Sequence, residues 1–290
     1  MLGAIIGDIV GSIYEWRNIK TKDFPLFTDK CFFTDDTVMT IAVADALMNG
    51  RNRDDFIDSM KKFGRLYPDA GYGAGFGNWI FSDSREPYNS WGNGSAMRVA
   101  PCGWIMDCGF YGRTGIWPSN AWGKVTMSAE VTHNHPEGIK GAQATAAAIF
   151  INRFYFGGWE HDYGNGDCCT PDKWRLEVKK VIEENIGYDL SHTLDEIRPT
   201  YQFNETCRDT VPQAITAFLE STDFEDAIRN AISLGGDSDT LAAITGGIAE
   251  AAYGVPEDIR DKALSYLDTP LREVYDRWCA FCPNYTQATK

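Results

Sequence analysis

The hydrophobic positions of this chain recur mostly at the three- and four-residue spacing of helices, and sustained alternation of apolar and polar residues is scarce. Two segments, 37–48 and 240–253, are apolar almost all round, which is typical of central helices. Amphipathic helices are predicted around them at 54–66, 95–106, 121–131, 137–156, 171–185, 190–198, 210–220 and 224–234. The pattern therefore predicts an all-α protein.

Prolines, glycines and loop-forming residues predict where the chain turns. Pro256 and Pro270 each occupy a first helical position, Pro270 behind Thr269 as the cap, so two terminal helices are expected. Residues 157–170 are rich in glycine, aromatic and acidic residues and predict a loop. No linker rich in proline and serine and no low-complexity tract divides the chain, so we predict one domain over residues 1–290.

The first predicted helix, 2–16, is apolar but carries two regular rows of other residues. Glycine recurs at every fourth position, where the backbone of another element can approach closely: Gly3, Gly7 and Gly11. Asp8, Ser12 and Glu15 share one face of the same predicted helix.

Composition and charge narrow the range of functions that the chain can have. The 290 residues are 43% hydrophobic and 23% charged, as in a globular protein, and the net charge of −14 disfavours broad binding to nucleic acid or anionic lipid. No apolar run approaches the roughly 20 residues that span a bilayer. The apolar start has no basic region and contains Asp8, so no signal peptide is indicated and a cytoplasmic protein with reduced cysteines is expected. Cys279 and Cys282 are interpreted as packing residues.

Two similar acidic segments, some two hundred positions apart, are the sharpest feature of the sequence. The first acidic segment (34–37) reads Thr-Asp-Asp-Thr, and the second (235–240) reads Gly-Gly-Asp-Ser-Asp-Thr. Each leads directly into an apolar helix, so helix capping is the simplest interpretation. Capping, however, needs one such residue per helix, whereas four carboxylates are present. Carboxylates brought together in this number repel one another unless a cation lies between them.

The chemistry of these donors indicates the kind of cation. Neither acidic segment contains histidine or cysteine, and oxygen donors favour Mg²⁺, with Mn²⁺ or Ca²⁺ as alternatives, over zinc. If the segments converge, two ions about 3.5 to 4 Å apart are feasible, and Glu15 can supply a further oxygen.

Glycine-rich and histidine-containing segments are candidates for binding the rest of a ligand. Residues 71–79 have glycine at every second position, and their backbone N–H groups can approach a phosphate, although the segment matches neither a P-loop nor a dinucleotide fingerprint. In 92–98, Ser95 can cap a helix whose free N–H groups face an anion. The His-x-His pair in 132–137 is interpreted as a helix-entry turn in which one histidine touches ligand. No Gly-x-Ser-x-Gly elbow supports a serine hydrolase.

In this order the motifs resemble those of the ADP-ribosylglycohydrolase family, which includes the dinitrogenase-reductase-activating glycohydrolase and the ADP-ribosylhydrolases. The resemblance rests on Gly7-Asp8 with Glu15, on 34–37, 71–75, 92–98 and 128–133, and on 235–240. It implies a compact, orthogonal all-α domain with two Mg²⁺, or Mn²⁺, at the bottom of a cleft.

The resemblance also implies roles for individual residues. The metal ligands would be Thr34, Asp35, Asp36, Asp237, Asp239 and Thr240. Glu15 would lie beside the metals and contact substrate or its water, and the ADP-ribose cleft would be lined by Gly73, Gly75, Asn93, Gly94, Ser95 and His133. Glu15, Asp35 and Asp237 stay unranked as the carboxylate that activates water, and Tyr72 or Phe76 is a candidate platform for adenine.

The expected function is that of a monomeric, metal-dependent hydrolase that cleaves the bond at the anomeric ribose carbon of ADP-ribosylated proteins or small acceptors and releases ADP-ribose. The alternative is a catalytically silent module that binds ADP-ribose or a nucleotide. A third hypothesis is a structural protein whose acidic segments only cap helices. Residues 157–209 match no family motif, so the linkage that is cleaved stays open.

Overall fold

The computed structural model describes residues 1–106, 122–156, 171–282 and 285. Within these ranges the chain forms α-helices and one π-helical turn, and no strand pairing beyond an isolated bridge between Gly92 and Thr206. The all-α prediction is therefore confirmed. The helices are α1 (Leu2–Gly11), α2 (Asp35–Asn49), α3 (Arg53–Leu66), α4 (Ala74–Phe81), α5 (Gly94–Met97), α6 (Ala100–Ile105), α7 (Gly123–Glu130), α8 (Pro136–Phe156), α9 (Pro171–Val181, with the π-helical turn Ile182–Ile186), α10 (Leu194–Ile197), α11 (Cys207–Leu219), α12 (Phe224–Ser233), α13 (Ser238–Tyr253), α14 (Glu257–Leu264) and α15 (Thr269–Phe281).

Helices α1 and α13 pack backbone to backbone at the centre of the fold. A Cβ atom built on Gly7 would lie 2.0 Å from the carbonyl oxygen of Ala242, and one on Gly3 would lie 2.0 Å from that of Gly246. Only glycine permits this approach, so the close contact predicted from the glycine row is confirmed. At the end of α1, a Cβ on Gly11 would lie 2.5 Å from the Cα of Asp239, which places the two helix ends side by side.

Buried carboxylates hold the starts of two of these helices. Glu250 of α13 accepts hydrogen bonds from the backbone N–H groups of Leu2 and Gly3, at 3.2 and 3.0 Å. Asp8 of α1 does the same for α2, because its carboxylate accepts from the backbone N–H groups of Thr34 and Thr37 at 2.9 and 3.0 Å. Free N–H groups at a helix start are thus satisfied by a side chain from a neighbouring helix.

Several predicted boundaries are wrong, for local reasons. Helix α1 ends at Gly11, and Glu15 follows in a turn, so Asp8 and Glu15 do not share a helix face. The predicted helix 95–106 is two helices, because Pro101 cannot donate the N–H bond that a continuous helix would need there. Helix α15 is capped by Asp268, whose side chain accepts from the N–H of Leu271, and not by Thr269.

Other predictions fail because a pattern was overlooked or overextended. Residues 74–81 form helix α4, whose buried Phe76, Trp79 and Ile80 have helical spacing that the glycines obscure. Pro256 precedes α14 as its cap position, and α10 covers only four residues of the predicted 190–198. The loop predicted at 157–170 lies outside the described residues. The cysteines described as free include Cys279 and Cys282.

Candidate functional site

A cleft of about 1010 Å³ lies over the starts of α2 and α13. Its walls come from the turn after α1, from residues 69–76, 88–98 and 203–206, and from His133 in the turn before α8. The carboxylates that line it are Glu15, Asp35, Asp36, Asp69, Glu205, Asp237 and Asp239. A cleft of this size accommodates a ligand as large as a nucleotide.

The two acidic segments meet at the floor of this cleft. The hydroxyl of Thr240 donates a hydrogen bond to Asp36 Oδ2 at 3.1 Å, which joins the starts of α2 and α13 directly. Carboxylate oxygens of Asp36, Asp239 and Asp8 lie within 4.8 Å of one another. So do those of Glu15, Asp237 and Asp239, and Asp239 therefore belongs to both groups. Thr34, Asp35 and Thr240 line the same cleft, so all six sequence-predicted ligands are brought together.

Helix capping explains only part of the first acidic segment. The hydroxyl of Thr34 accepts a hydrogen bond from the N–H of Asp36 at 3.3 Å, as a cap does. Asp237 occupies the cap position of α13, but its side chain makes no capping bond and instead accepts from Asn93 Nδ2 at 2.7 Å. The remaining carboxylates are therefore not accounted for by helix capping.

Burial and neighbouring negative charges raise the pKa values of the carboxylates in the cluster. Burial, followed by the charge of Asp239, raises the pKa of Asp36 well above its ordinary range, and burial, followed by the charge of Asp237, does the same for Asp239. Burial raises the pKa of Asp237 to about 6. Burial and the charge of Asp239 raise the pKa of Glu15 to about 7. A positive charge among them would favour the ionised forms.

Two carboxylate oxygens in the cluster have lone pairs that no group in the described part of the chain uses. Asp36 Oδ1 and Asp239 Oδ1 are buried and accept no hydrogen bond from the described residues. By contrast Asp45, a buried aspartate elsewhere on α2, accepts from Ser59 and pairs with Arg277. Unpaired buried carboxylate oxygens are costly unless a cation binds them, so the donor set fits a hard metal ion.

Asp8 is part of the cluster but serves a different purpose. Oδ2 accepts from two backbone N–H groups, as described for α2, and Oδ1 accepts from the hydroxyl of Thr34 at 2.7 Å. These bonds occupy both oxygens of the carboxylate. We therefore assign Asp8 to holding the first acidic segment in place, a role that the sequence did not indicate. The signal available was its position three residues before Gly11 in the glycine-rich helix.

The predicted ADP-ribose residues fall into two classes. Gly73, Gly75, Asn93, Gly94 and His133 line the cleft. Ser95 does not, because it is fully buried inside α5 and its hydroxyl donates to the carbonyl oxygen of Gly138 at 2.6 Å. In the His-x-His turn, His135 Nδ1 accepts from the backbone N–H of Glu137 at 3.1 Å, so this histidine supports the entry into α8.

Aromatic residues at the mouth of the cleft were missed from the sequence. Trp91 is 55% exposed and meets His135 edge to face, with ring centroids 5.7 Å apart. Trp16 is more exposed still and stacks on Phe203. Of the two aromatic residues that the sequence suggested as a platform for adenine, Phe76 lines the cleft with most of its ring buried against Trp79, and Tyr72 is not among the lining residues. Trp91 directly precedes the glycine segment 92–98, and this position was the available signal that it lies at the cleft.

Comparison with known proteins finds relatives named as ADP-ribosylhydrolases. The chain is 26% identical to the human (Homo sapiens) ADP-ribosylhydrolase ARH3, over 93% of this chain and 90% of that protein. It is also 26% identical to the ADP-ribosylarginine hydrolase Tri1 of Pseudomonas putida, over 96% of this chain and 77% of that protein.

The fold has a counterpart among solved structures. An ADP-ribosylglycohydrolase-related protein complex contains a chain that superposes with a TM-score of 0.61 at 20% identity, over 100% of this chain and 97% of that one. The sequence model described as ADP-ribosylglycohydrolase matches residues 1–281. This chain therefore belongs to the ADP-ribosylglycohydrolase family.

Proposed function

We propose that this protein is a metal-dependent hydrolase that cleaves the glycosidic bond at the anomeric ribose carbon of ADP-ribosylated proteins or small acceptors and releases ADP-ribose. The observation that carries the proposal is the pair of carboxylate groups that share Asp239 on the floor of a nucleotide-sized cleft. The names of both relatives describe hydrolases of ADP-ribose linkages, which supports the reaction class.

We further propose that the site holds two Mg²⁺ ions, or Mn²⁺ in their place. Carboxylate oxygens of Asp36 and of Asp237 each lie within 4.8 Å of one of Asp239, which suits two neighbouring cations that share Asp239, and the donors are oxygen atoms only. The proposed ligands are Thr34, Asp35, Asp36, Asp237, Asp239 and Thr240. When bound, the ions would neutralise the carboxylates and supply Lewis-acid stabilisation to the ribose hydroxyls of the substrate.

The side chains of the protein position the substrate and its water. Of the three carboxylates proposed as bases, Asp237 is engaged by Asn93, whereas Glu15 is half-buried at the cleft wall and faces solvent. Asp35 and Asp237 are also proposed metal ligands, whereas Glu15 is not, so the carboxylate of Glu15 is free to accept a proton from water. We therefore place Glu15 first, ahead of Asp35 and Asp237. Backbone N–H groups at the starts of α4 and α5 would hold the diphosphate.

The proposal is tested by measuring the release of ADP-ribose from Arg-linked, Ser-linked and O-acetylated substrates, each with Mg²⁺ and with EDTA. Release from one of them that EDTA abolishes would establish the hydrolase and its linkage together. Binding of ADP-ribose without release from any substrate would favour the alternative, a catalytically silent ADP-ribose-binding module. Absence of both would contradict the proposal.

The proposal also covers the compartment, the oligomeric state and the domain organisation of the protein. We propose a cytoplasmic monomer of one domain, residues 1–290, without a broad nucleic-acid surface, in keeping with its net charge of −14. Among the described helices, none is both long enough and apolar enough to cross a bilayer. Light scattering coupled to size-exclusion chromatography would test the monomer.

Magnesium is expected to stabilise the protein more at about pH 8 than at about pH 5. Without metal, the folded protein binds protons more tightly than the unfolded chain, because burial raises the pKa of Asp237 to about 6 and that of Glu15 to about 7. Stability is therefore lost as the pH rises from about 4 through about 7. Mg²⁺ competes with these protons, so its effect grows over the same interval.

Thermal unfolding with and without Mg²⁺ at both pH values would measure the effect. At a free concentration one hundred times Kd, stabilisation is about 2.7 kcal/mol. KCl at equal ionic strength is the control, because screening of charges alone would act in both salts. A specific metal site would be contradicted if KCl raised the melting temperature as much as Mg²⁺ does, or if Mg²⁺ raised it more at about pH 5 than at about pH 8.

Trp91 is expected to contribute to binding of the adenine base. Its exposed ring lines the cleft, and loss of a base–aromatic stack costs about 1–3 kcal/mol, so Trp91→Ala should weaken ADP-ribose binding by roughly 5- to 150-fold. Phe81→Ala is the matched control, because Phe81 is 56% exposed but does not line the cleft. Calorimetric titration with ADP-ribose would compare them, and equal affinities would remove Trp91 from the base site.

A further inference from the structure

One side chain connects the turn that carries Glu15 to the second acidic segment. Asn18 follows three residues later, and its Nδ2 donates to the carbonyl oxygens of Glu15 and Tyr14 at 2.7 and 2.9 Å. The same Nδ2 lies 2.9 Å from the carbonyl oxygen of Gly236, and Oδ1 accepts from the N–H of Gly236 at 2.8 Å. A carbonyl oxygen only accepts and a backbone N–H only donates, so these partners fix the orientation of the amide. Among the described residues, every hydrogen bond between 13–18 and the second acidic segment involves this side chain.

The two glycines of the second acidic segment make room for this contact. Gly235 and Gly236 have φ angles of +69° and +74°, in the left-handed region that favours glycine. A Cβ atom built on Gly235 would lie 3.3 Å from Asn18 Cβ and 3.2 Å from Lys20 Nζ, so side chains from beyond the turn pack directly on the glycine backbone. Lys20 Nζ also donates to the carbonyl oxygen of Leu234, just before the glycines. The glycine pair, which helix capping does not explain, is therefore the surface on which the chain after α1 docks.

The start of α13 has supports of its own, whereas Glu15 depends on Asn18. Helix α1 packs against α13 backbone to backbone, and a Cβ on Gly11 would lie 2.5 Å from the Cα of Asp239. Glu15 lies beyond the end of α1, in a turn. Its carboxylate nevertheless lies within 4.8 Å of those of Asp237 and Asp239. The contact between Asn18 and the glycine pair is thus what holds this turn against the second acidic segment.

We propose that Asn18 is a positioning residue that sets the distance between the carboxylate of Glu15 and the two aspartates of the second acidic segment. The inference rests on the proposed function, in which Glu15 accepts a proton from water. Asn18 is not among the described residues that line the cleft, so it acts through the backbone of its turn and not on the substrate. Misplacement of a reacting group by about 1 Å can cost roughly a hundredfold in rate. Loss of Asn18 should therefore lower kcat more than it affects KM or metal binding.

Asn18→Ala is expected to lower kcat for release of ADP-ribose by roughly 10- to 100-fold, with KM and stabilisation by Mg²⁺ close to wild type. Asn52→Ala is the matched control, because Asn52 is also exposed and its side chain accepts from the N–H groups of Asp54 and Asp55, outside the cleft. The control should lose stability and keep kcat. An equal fall in kcat for both variants, or a loss of stabilisation by Mg²⁺ in Asn18→Ala, would overturn the positioning role.

A double variant distinguishes action through Glu15 from a general structural effect. In Glu15→Gln the proposed base is already absent, so adding Asn18→Ala should lower the residual kcat by about twofold at most. The assay uses high enzyme concentrations, so that the residual rate is measurable. If the losses of the two single variants multiplied, Asn18 would not act through Glu15 and the proposal would fail.

Amide hydrogen exchange of the full-length protein, followed by NMR, tests the contact without any substrate. The N–H of Gly236 is bonded to Asn18 Oδ1, so it should exchange several-fold faster in Asn18→Ala. The N–H of Gly254, bonded to the carbonyl oxygen of Glu250 at the other end of α13, should be unchanged. Unaltered exchange at Gly236, or equally faster exchange at both glycines, would overturn the contact. If the wild type releases ADP-ribose from no substrate, the proposed function fails and the role in turnover with it, while the exchange result still decides the contact.

Discussion

The Asp239→Asn variant is expected to lose release of ADP-ribose by about a thousandfold or more, while its metal-free form melts at a higher temperature than the wild type. The loss of activity follows because Asp239 belongs to both carboxylate groups, and metal stabilisation of a transition state amounts to several kcal/mol, at 1.36 kcal/mol per factor of ten. The gain in stability follows because asparagine removes one of several buried, mutually repelling carboxylates. Activity assays and thermal unfolding in EDTA would measure the two effects.

Two further variants separate loss of metal from loss of structure. Asp45→Asn alters a buried aspartate of α2 that pairs with Arg277, so it should lower stability modestly and leave activity intact. Glu15→Gln removes the proposed base but none of the six proposed ligands, so it should keep the stabilisation by Mg²⁺ and lose turnover. If Asp239→Asn retained full activity, or if it were destabilised in EDTA like Asp45→Asn, the metal site would not be where we place it.

The site was predictable from the sequence as far as its donors lie in recognisable local patterns. Each acidic segment stands directly before an apolar helix, and two buried helices that start with carboxylates can meet only if those carboxylates are compensated. Local pattern and charge therefore identified the donors, whereas their convergence was only a condition in the sequence and is seen in the fold, where Thr240 donates a hydrogen bond to Asp36. Asp8 was beyond this reasoning, because its role depends on where the start of α2 lies in space. The direction of the Ser95 side chain, which donates to Gly138 and does not line the cleft, was not predictable, because its helix is a single buried turn whose orientation the sequence does not specify.

The fold shows the same division between local and tertiary causes. Periodicity identified the long helices, and the glycine row identified the closest helix contact. Periodicity failed to identify short helices that depend on packing. Helix α4 is stabilised by three buried side chains that lie among glycines, and the break between α5 and α6 depends on Pro101. Tertiary contacts also determine the end of α1 at Gly11, because the hydroxyl of Ser12 donates to the carbonyl oxygen of Ile9 and accepts from the N–H of Phe32 on the neighbouring chain segment. Glu15 thereby leaves the helix and reaches the cleft.

The Gly7→Ala variant is expected to be destabilised by at least about 3 kcal/mol, at the upper end of the cost of overpacking a core. The new methyl group would stand 2.0 Å from the carbonyl oxygen of Ala242, and a backbone atom cannot turn away as a side chain can. Helices α1 and α13 must therefore separate. For a chain of this size the loss corresponds to a fall in Tm of roughly 6–12 °C. Separation also moves Asp8, the next residue, so stabilisation by Mg²⁺ should weaken as well.

A graded series of glycine variants isolates the backbone contact as the cause. In Gly64→Ala the methyl group would meet three side-chain atoms of Ile80 at 2.7 to 3.0 Å, and a side chain can shift more readily than a backbone, so the cost should be smaller. In Gly123→Ala it would meet no atom of the described residues within 4 Å, and alanine near the start of α7 should be neutral or stabilise by up to about 1 kcal/mol. Neither change should affect stabilisation by Mg²⁺. Equal losses for Gly7→Ala and Gly64→Ala would mean that the contact between α1 and α13 yields as readily as a side chain does, and that the close packing of these two backbones does not set the position of the carboxylates.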